Sequence, residues 1–283
     1  MTRSQVPGAH SGQTQVVLSG SEAVAEVEMA ICAGAVVGRP AIAEGLAMAG
    51  LRAASLTRDD LEIVDGIEAL PASCVHHTVH TRRPEPVSSG AFELVASTVQ
   101  EAVDHCLVAH LMSHKLGRTG VCSMGPELAS RLDVVHLPAD PSFVGTLDQA
   151  AATSGAGGVL DLAQESFRAV GAHTGRAGDL LAYRGSEKPA VVLVGVGTGA
   201  ARARLAVDAL VQAGASVGAV SIFLVRPFPT EALRKALGSV KQVLVVDGPA
   251  GSEALYDQVE AALCGAKGVQ VTPLDAGAPE GLL

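Results

Sequence analysis

The C-terminal third of the sequence contains the stretch that decides the fold. The apolar run AVVLV at residues 190–194 leads directly into GVGTG at residues 195–199, and residues 200–213 then place apolar side chains at helical spacing. This order predicts a buried strand, a tight glycine turn and a helix. The apolar face predicted for that helix carries Leu205, Ala209 and Leu210.

Two further strand–helix units follow. Residues 217–225 predict a second buried strand, which the RPFP stretch ends, and Thr230 is placed to cap the next helix. Residues 240–246 predict a third strand and residues 253–264 a third helix. Strands and helices that alternate through such short connections predict an α/β fold with a doubly wound parallel sheet.

The N-terminal half has weaker signals, with helices predicted over residues 21–33 and 99–115. The small, flexible residues from 138 to 158 are typical of a domain boundary. The predicted organisation is a flexible leader at 1–19, a first α/β domain at 20–145, a linker at 146–186, a second domain at 187–266 and a tail at 267–283.

Composition excludes several classes of protein. Of the 283 residues 48% are hydrophobic, which excludes extensive disorder, and a net charge of −9 argues against a nucleic-acid partner. No apolar run is long enough to predict a membrane span, and the first residues lack the pattern of a signal peptide, so a cytoplasmic protein is expected. Five scattered cysteines predict neither a disulfide framework nor an iron–sulfur cluster.

The glycine turn has two interpretations. A dinucleotide site would use Gly195, Gly197, Thr198 and Gly199, because backbone amides there could approach a pyrophosphate. However, the spacing is GxGxG rather than GxGxxG, and the next strand ends without an acidic residue. A structural turn is the preferred interpretation, and nucleotide binding stays open as the alternative.

The run CVHHTVH at residues 74–80 contains four possible metal ligands. On a strand, Cys74, His76 and His80 would share one face and could bind zinc. Because no second ligand-bearing element is evident, a surface or interface histidine run is the preferred interpretation.

A second histidine pair lies on a predicted helix. His110 and His114 are four residues apart, which permits metal binding, but the residues between them include no general base. An exposed helix face is therefore preferred, and no metal site is predicted. Since GxSxG and P-loop motifs are also missing from the sequence, catalytic residues remain unknown.

The C-terminal residues resemble a known family. Residues 192–263 are similar to the second domain of pyruvate:ferredoxin oxidoreductases, which has the transketolase C-terminal fold. The resemblance rests on the glycine turn, on Arg226-Pro227-Phe228, on Asp247 and on Leu255-Tyr256. Upstream, the similar segments are 20–25, 97–111, His173-Thr174-Gly175-Arg176 and 181–185.

The resemblance implies that residues 20–145 form a shortened thiamine-pyrimidine-type domain. The family's substrate threonine is missing, since residues 37–41 read VGRPA. The segment carrying the coenzyme glutamate is also missing: the span before Cys74 is expected to be too short for its strand, helix and loop. Arg82 is the position that the resemblance assigns to substrate binding.

The resemblance implies a subunit, or a degenerate relative, of a 2-oxoacid:ferredoxin oxidoreductase, an enzyme that converts a 2-oxoacid oxidatively to acyl-CoA. This chain alone is expected to hold no cofactor. Thiamine diphosphate would bind only with a partner chain that also carries iron–sulfur clusters, and self-association is expected. The alternatives are a nucleotide-binding protein that uses GVGTG and a non-catalytic scaffold.

Overall fold

A computed structural model describes residues 13–32, 36–37, 53–57, 74–79, 91–138, 143–144, 158–237, 240–247, 253–266 and 268–275. The strands are β1 (Gln13–Ser19), β2 (Val36–Val37), β3 (Ala53–Thr57), β4 (Cys74–Val79), β5 (Phe92–Val95), β6 (Gly120–Met124), β7 (Leu132–Pro138), β8 (Leu181–Gly185), β9 (Val191–Gly195), β10 (Val217–Ile222), β11 (Leu224–Arg226), β12 (Gln242–Asp247) and β13 (Gln270–Asp275). The helices are α1 (Gly20–Ile31), α2 (Val99–Leu116), α3 (Pro126–Ser130), α4 (Val159–Thr174), α5 (Gly197–Gln212), α6 (Thr230–Leu237) and α7 (Glu253–Leu263).

These strands form two mainly parallel sheets and a two-stranded ribbon. The first sheet has the order β11-β5-β6-β4-β3-β2 and is parallel except for β11. The second has the order β13-β12-β9-β10-β8 and is parallel except for β8. Strands β1 and β7 form an antiparallel ribbon. The predicted α/β fold class with parallel sheets is confirmed.

Helix α1 begins with a capping box. The Ser19 hydroxyl accepts a hydrogen bond from the Glu22 backbone amide, and the Glu22 carboxylate accepts one from the Ser19 amide at 2.8 Å. The helix then buries Ala23, Val24 and Val27 in the first core, beside α2. The cap and this buried stripe together explain why residues 20–31 are helical.

Helix α2 is buried along most of its length. Leu107 and Leu111 lie in the core, and Gly117 ends the helix in the left-handed region at φ 61°. Enclosure by α1, α4 and the sheet means that both apolar and polar side chains of α2 are removed from water. No helix within the described residues combines the length and hydrophobicity that a membrane span requires.

The buried face of α5 differs from the predicted one. The helix packs on the sheet through Ala200, Ala203 and Val207, whereas Leu205 is 69% exposed and Ala209 is also exposed. The prediction was wrong because it followed side-chain hydrophobicity. A helix that begins directly after a tight turn lies close to the sheet, and small residues permit that distance.

Several segments are more ordered than predicted. Gln13–Ser19 is a strand rather than part of a flexible leader, and Gln270–Asp275 is an edge strand rather than tail. The predicted linker contains α4 and β8. Ala53–Thr57 forms a strand within the span that was expected to be too short for a strand, a helix and a loop together. The four strands among these segments are short and only partly apolar, which weakens their signal in the sequence. The division into two domains stays a prediction.

The predicted strand over residues 217–225 is divided between the two sheets. Strand β10 ends at Ile222 in the second sheet, and β11 then pairs antiparallel with β5 in the first. Phe223 lies between them: its carbonyl accepts from Val95 N at 2.8 Å and its amide donates to Leu180 O at 2.9 Å. One continuous stretch of chain therefore belongs to both sheets.

Arg176, from the segment that resembles the family, makes a bidentate ion pair with Asp104 of α2. Its Nε lies 2.8 Å from Oδ2 and its Nη2 2.6 Å from Oδ1. Burial raises the pKa of Asp104 and outweighs the opposing effect of Arg176. We expect Arg176→Ala to lower the free energy of unfolding by about 2 kcal/mol in urea titrations, because the mostly buried carboxylate loses its bidentate donor and keeps the longer hydrogen bond from Gln100 Nε2 at 3.4 Å.

Arg184→Ala is the matched control, since Arg184 pairs with Asp208 but is 61% exposed. Its expected loss is below about 1 kcal/mol. Equal losses for the two variants would contradict a specific role for the Arg176–Asp104 pair.

Candidate functional site

Strand β4 places its polar side chains on both faces of the first sheet. His76 and His77 are both buried, as are Cys74 and Thr78. The interpretation as a surface histidine run was wrong, because β4 is a central strand between β3 and β6 and both of its faces are covered. The predicted shared face is found for Cys74 and His76, whose Sγ and Nε2 lie 3.7 Å apart. His80 lies outside the described residues.

His77 lies on the opposite face and contacts Glu28 of α1, whose carboxylate is also contacted by His110 of α2. Its Nε2 lies 2.6 Å from Glu28 Oε1, and His110 Nε2 lies 2.6 Å from Oε2. Glu28 is fully buried and His110 is 1% exposed. The exposed helix face predicted for His110 was therefore wrong, although His114, one turn later, is exposed. Three separate elements converge on one carboxylate.

The electrostatics keep this carboxylate ionised. Burial on its own would raise the pKa of Glu28, but the charges of His110 and His77 and their hydrogen bonds hold it well below its usual range. A buried carboxylate is stable only where donors or cations surround it, and the two imidazoles provide that environment.

Two cysteines extend the cluster. Cys32 Sγ lies 3.5 Å from Glu28 Oε2 and 3.8 Å from His110 Nε2. Cys106 lies on the His77 side, but its thiol donates to the Ala102 carbonyl at 3.0 Å. Burial, followed by the charge of Glu28, raises the pKa of Cys106 well above its ordinary value, so this residue remains a thiol.

Glu28 and Cys32 do not stand out in the sequence. Their ligand-bearing partners lie at positions 77 and 110, so no local motif connects them. The spacing of four residues between Glu28 and Cys32 on a predicted helix is the signal that could have identified them.

A second polar cluster occupies the other face of the first sheet. Thr78 Oγ1 lies 3.2 Å from Ser123 Oγ, which donates to Glu93 Oε1 at 2.9 Å. Glu93 Oε2 forms an ion pair with Arg226 Nε at 3.3 Å. Thr78 and Ser123 lie near the carboxyl ends of parallel strands, where ligands bind in open α/β sheets. Arg226 belongs to the Arg-Pro-Phe motif, so this motif contacts the first sheet.

The glycine turn is explained by its own geometry. A Cβ on Gly195 would lie 2.6 Å from the backbone nitrogen of Ala200, and Gly197 adopts a left-handed φ of 54°. The start of α5 also packs against the first sheet: a Cβ on Gly197 would lie 3.3 Å from Val95 Cγ1, and one on Gly125 2.9 Å from Thr198 Cγ2. These contacts favour the structural interpretation of the turn.

Nucleotide binding at the turn and substrate binding at Arg82 remain predictions. The first would involve Gly195, Gly197, Thr198 and Gly199. Arg82 lies outside the described residues.

Gly195→Ala tests the structural interpretation of the turn. We expect it to lower the free energy of unfolding by about 1–3 kcal/mol, because the added methyl group would meet backbone atoms that cannot rotate away. Urea unfolding would measure the loss. Gly158→Ala is the control, since a Cβ there meets nothing within 4 Å, and its expected effect is below about 1 kcal/mol. A stable Gly195→Ala protein would contradict the steric explanation.

Comparison with known proteins identifies the relationship. Residues 190–277 match the family model of pyruvate:ferredoxin oxidoreductase core domain II. Through these residues the chain is related to the pyruvate:ferredoxin oxidoreductases. It is 36% identical over 110 residues to the mitochondrial pyruvate dehydrogenase [NADP(+)] of Euglena gracilis, a match covering 37% of this chain and 6% of that protein. It is 45% identical over 62 residues to subunit alpha of the NADH-dependent phenylglyoxylate dehydrogenase of Aromatoleum evansii, covering 22% and 14%.

Two solved structures share the fold of this chain over most of its length. The 2-oxoglutarate:ferredoxin oxidoreductase from Magnetococcus marinus, solved with 2-oxoglutarate, coenzyme A and succinyl-CoA, superposes with a TM-score of 0.62 at 12% identity, over 92% of this chain and 62% of that chain. A split-gene transketolase, described as an inactive β4 tetramer, gives 0.55 at 12% identity, over 90% and 88%. The chain thus spans less than two thirds of the oxidoreductase chain.

Proposed function

We propose that this chain is a subunit of a 2-oxoacid:ferredoxin oxidoreductase complex, and that its active site is completed by a partner chain. The reaction would be the oxidative decarboxylation of a 2-oxoacid to acyl-CoA. The observation that carries the proposal is the match of residues 190–277 to core domain II. The matched residues follow most strands of the first sheet in the same chain, and one relative is itself named as a subunit of a dehydrogenase.

The need for a partner is supported by the buried carboxylates. Thiamine chemistry requires a carboxylate that is available to the coenzyme pyrimidine. Among the described residues, the fully buried carboxylates are Glu28 and Glu93, and both are already occupied, by two histidines and by Ser123 with Arg226. These residues do not fit thiamine in their present arrangement, so we assign them no step in the reaction.

The chain's own contribution would be made at the carboxyl edge of the first sheet. Thr78, Ser123 and Glu93 form a hydrogen-bonded row there, and Arg226 of β11 pairs with Glu93 at its end. Arg82, close to Thr78 in sequence, would contact the carboxylate of the substrate, because a guanidinium group binds carboxylates in bidentate geometry.

The proposal is tested by purifying the full chain alone and together with the proteins that it captures from its own cells. The chain alone is expected to show neither bound thiamine diphosphate nor CoA-dependent oxidation of 2-oxoacids. A complex that contains a thiamine- and iron–sulfur-bearing chain is expected to reduce a viologen dye with pyruvate or another 2-oxoacid, and Arg82→Ala in that complex should raise KM more than it lowers kcat. Turnover by the isolated chain would contradict the proposal.

The two alternatives give different outcomes in the same preparations. A captured complex without a thiamine enzyme would favour a scaffold. Heat released on titrating the isolated chain with NAD, NADP or ATP, and lost in Thr198→Val, would favour a nucleotide-binding protein.

A further inference from the structure

The cluster around Glu28 contains a donor set that the proposed function does not use. We propose that Glu28, Cys32 and His110 bind a zinc-class divalent metal ion, with His77 orienting the carboxylate from its other oxygen. The proposal is independent of the proposed function. It rests on the convergence of carboxylate, thiol and imidazole atoms within 4.8 Å of one another.

Two of the three distances between the donor atoms suit tetrahedral coordination, in which the three residues would fill three of the four positions. Zinc–ligand bonds of about 2.0–2.3 Å place neighbouring ligand atoms about 3.3–3.7 Å apart. Cys32 Sγ lies 3.5 Å from Glu28 Oε2 and 3.8 Å from His110 Nε2. The remaining pair, Glu28 Oε2 and His110 Nε2, is 2.6 Å apart and would widen by roughly 0.7 Å to receive the ion.

The charge balance also favours a dication. Glu28, Cys32 and His110 are each no more than 3% exposed, so any net charge in the cluster is costly. A carboxylate, a thiolate and a doubly charged cation sum to zero. The sum holds with both imidazoles neutral, so binding would release the Cys32 thiol proton together with the second proton of each imidazolium. The proton that His110 keeps would lie on Nδ1, leaving Nε2 free to coordinate.

His77 and Cys106 have other roles in this arrangement. His77 Nε2 contacts Glu28 Oε1, the oxygen directed away from the proposed ion, and so fixes the orientation of the carboxylate. Cys106 is assigned no bond to the ion, because its thiol is directed at the Ala102 carbonyl at 3.0 Å, whereas the Cys32 thiol is directed at Glu28 Oε2. Thiolate, imidazole and carboxylate donors together select zinc or cobalt rather than magnesium or calcium.

Cobalt is the probe for the test. The full chain carries Cys264→Ser to remove the exposed thiol, and is stripped with chelator. It is titrated with Co²⁺ both folded and during refolding from urea, because the site is closed. We expect one Co²⁺ per chain, a thiolate-to-cobalt charge-transfer band, and displacement by Zn²⁺. No binding under either condition, or binding without the thiolate band, would overturn the proposal.

Matched variants assign the ligands, with circular dichroism to confirm folding. Cys32→Ala is expected to abolish the charge-transfer band, and Cys32→Ser replaces it if the alanine variant does not fold. Cys106→Ala is expected to keep the band. His77→Gln is expected to retain the band with about 10–100-fold weaker affinity. Loss of the band in Cys106→Ala but not in the folded Cys32 variant would overturn the assignment.

Discussion

Replacing Glu28 with alanine is expected to lower the free energy of unfolding by about 3–5 kcal/mol. The substitution removes the carboxylate that both His77 and His110 contact at 2.6 Å, and it leaves these two imidazoles buried without their shared acceptor. Urea unfolding followed by circular dichroism, with chelator present throughout, measures the hydrogen-bond network separately from any bound metal.

Two further variants show whether the loss is specific. Glu28→Gln is expected to be less destabilising than Glu28→Ala, because an amide can accept from one imidazole and donate to the other. Glu26→Ala, an exposed glutamate on the same helix, is expected to change stability by less than about 0.5 kcal/mol. A Glu28→Ala protein within 1 kcal/mol of wild type would refute the role of this network.

Stability is also expected to fall by about 3 kcal/mol as the pH decreases from about 6.5 to about 4, through the single residue His105. Burial lowers the pKa of His105 to about 4, with Glu101 opposing this effect. Between the ordinary value of 6.5 and this value, the unfolded chain binds a proton that the folded chain does not. This part of the stability is therefore complete above pH 6.5 and is lost on acidification.

The surroundings of His105 explain its preference for the neutral form. Its ring makes edge contacts with Phe167 and Phe223, at centroid distances of 5.7 and 5.3 Å, and Cys122 contacts its backbone carbonyl. Among the described residues, Nδ1 has no hydrogen-bond partner. Glu101, on the same helix, is the charged group that acts on it.

The test compares urea unfolding at pH 4–7 for wild type, His105→Phe and His105→Leu. The carboxylates titrate in all three proteins, so the difference in unfolding free energy between wild type and each variant isolates the contribution of His105. That difference is expected to change by about 3 kcal/mol across the range. A constant difference would show that folding leaves the pKa of His105 unchanged.

The C-terminal strands and helices were predictable because each is a short local pattern. Buried parallel strands are continuous apolar runs, and the RPFP stretch and the GVGTG turn mark their ends. The exchange of β11 into the first sheet was not predictable, because Phe223 looks like any other apolar residue within a strand. Which sheet a strand joins depends on contacts with β5, more than 120 positions away.

The candidate site was less predictable than the fold. The strand over residues 74–79 and the alternation of its faces followed from sequence, but the burial of His76, His77 and His110 did not. A histidine is polar, and sequence alone indicates a buried one only when its partner is known. For His77 and His110 that partner is Glu28, which lies 49 and 82 residues earlier on α1, and packing brings them together.

The passage of one stretch of chain through both sheets has a consequence for truncation. If the chain is cut before β8, the C-terminal fragment keeps β11 but loses β5, the strand with which it pairs. The N-terminal fragment then exposes the unpaired edge of β5 to solvent. An exposed edge strand can pair with a strand of another chain and so promotes aggregation. The two halves are therefore expected to melt in one transition, and neither should be obtainable as a well-behaved separate piece.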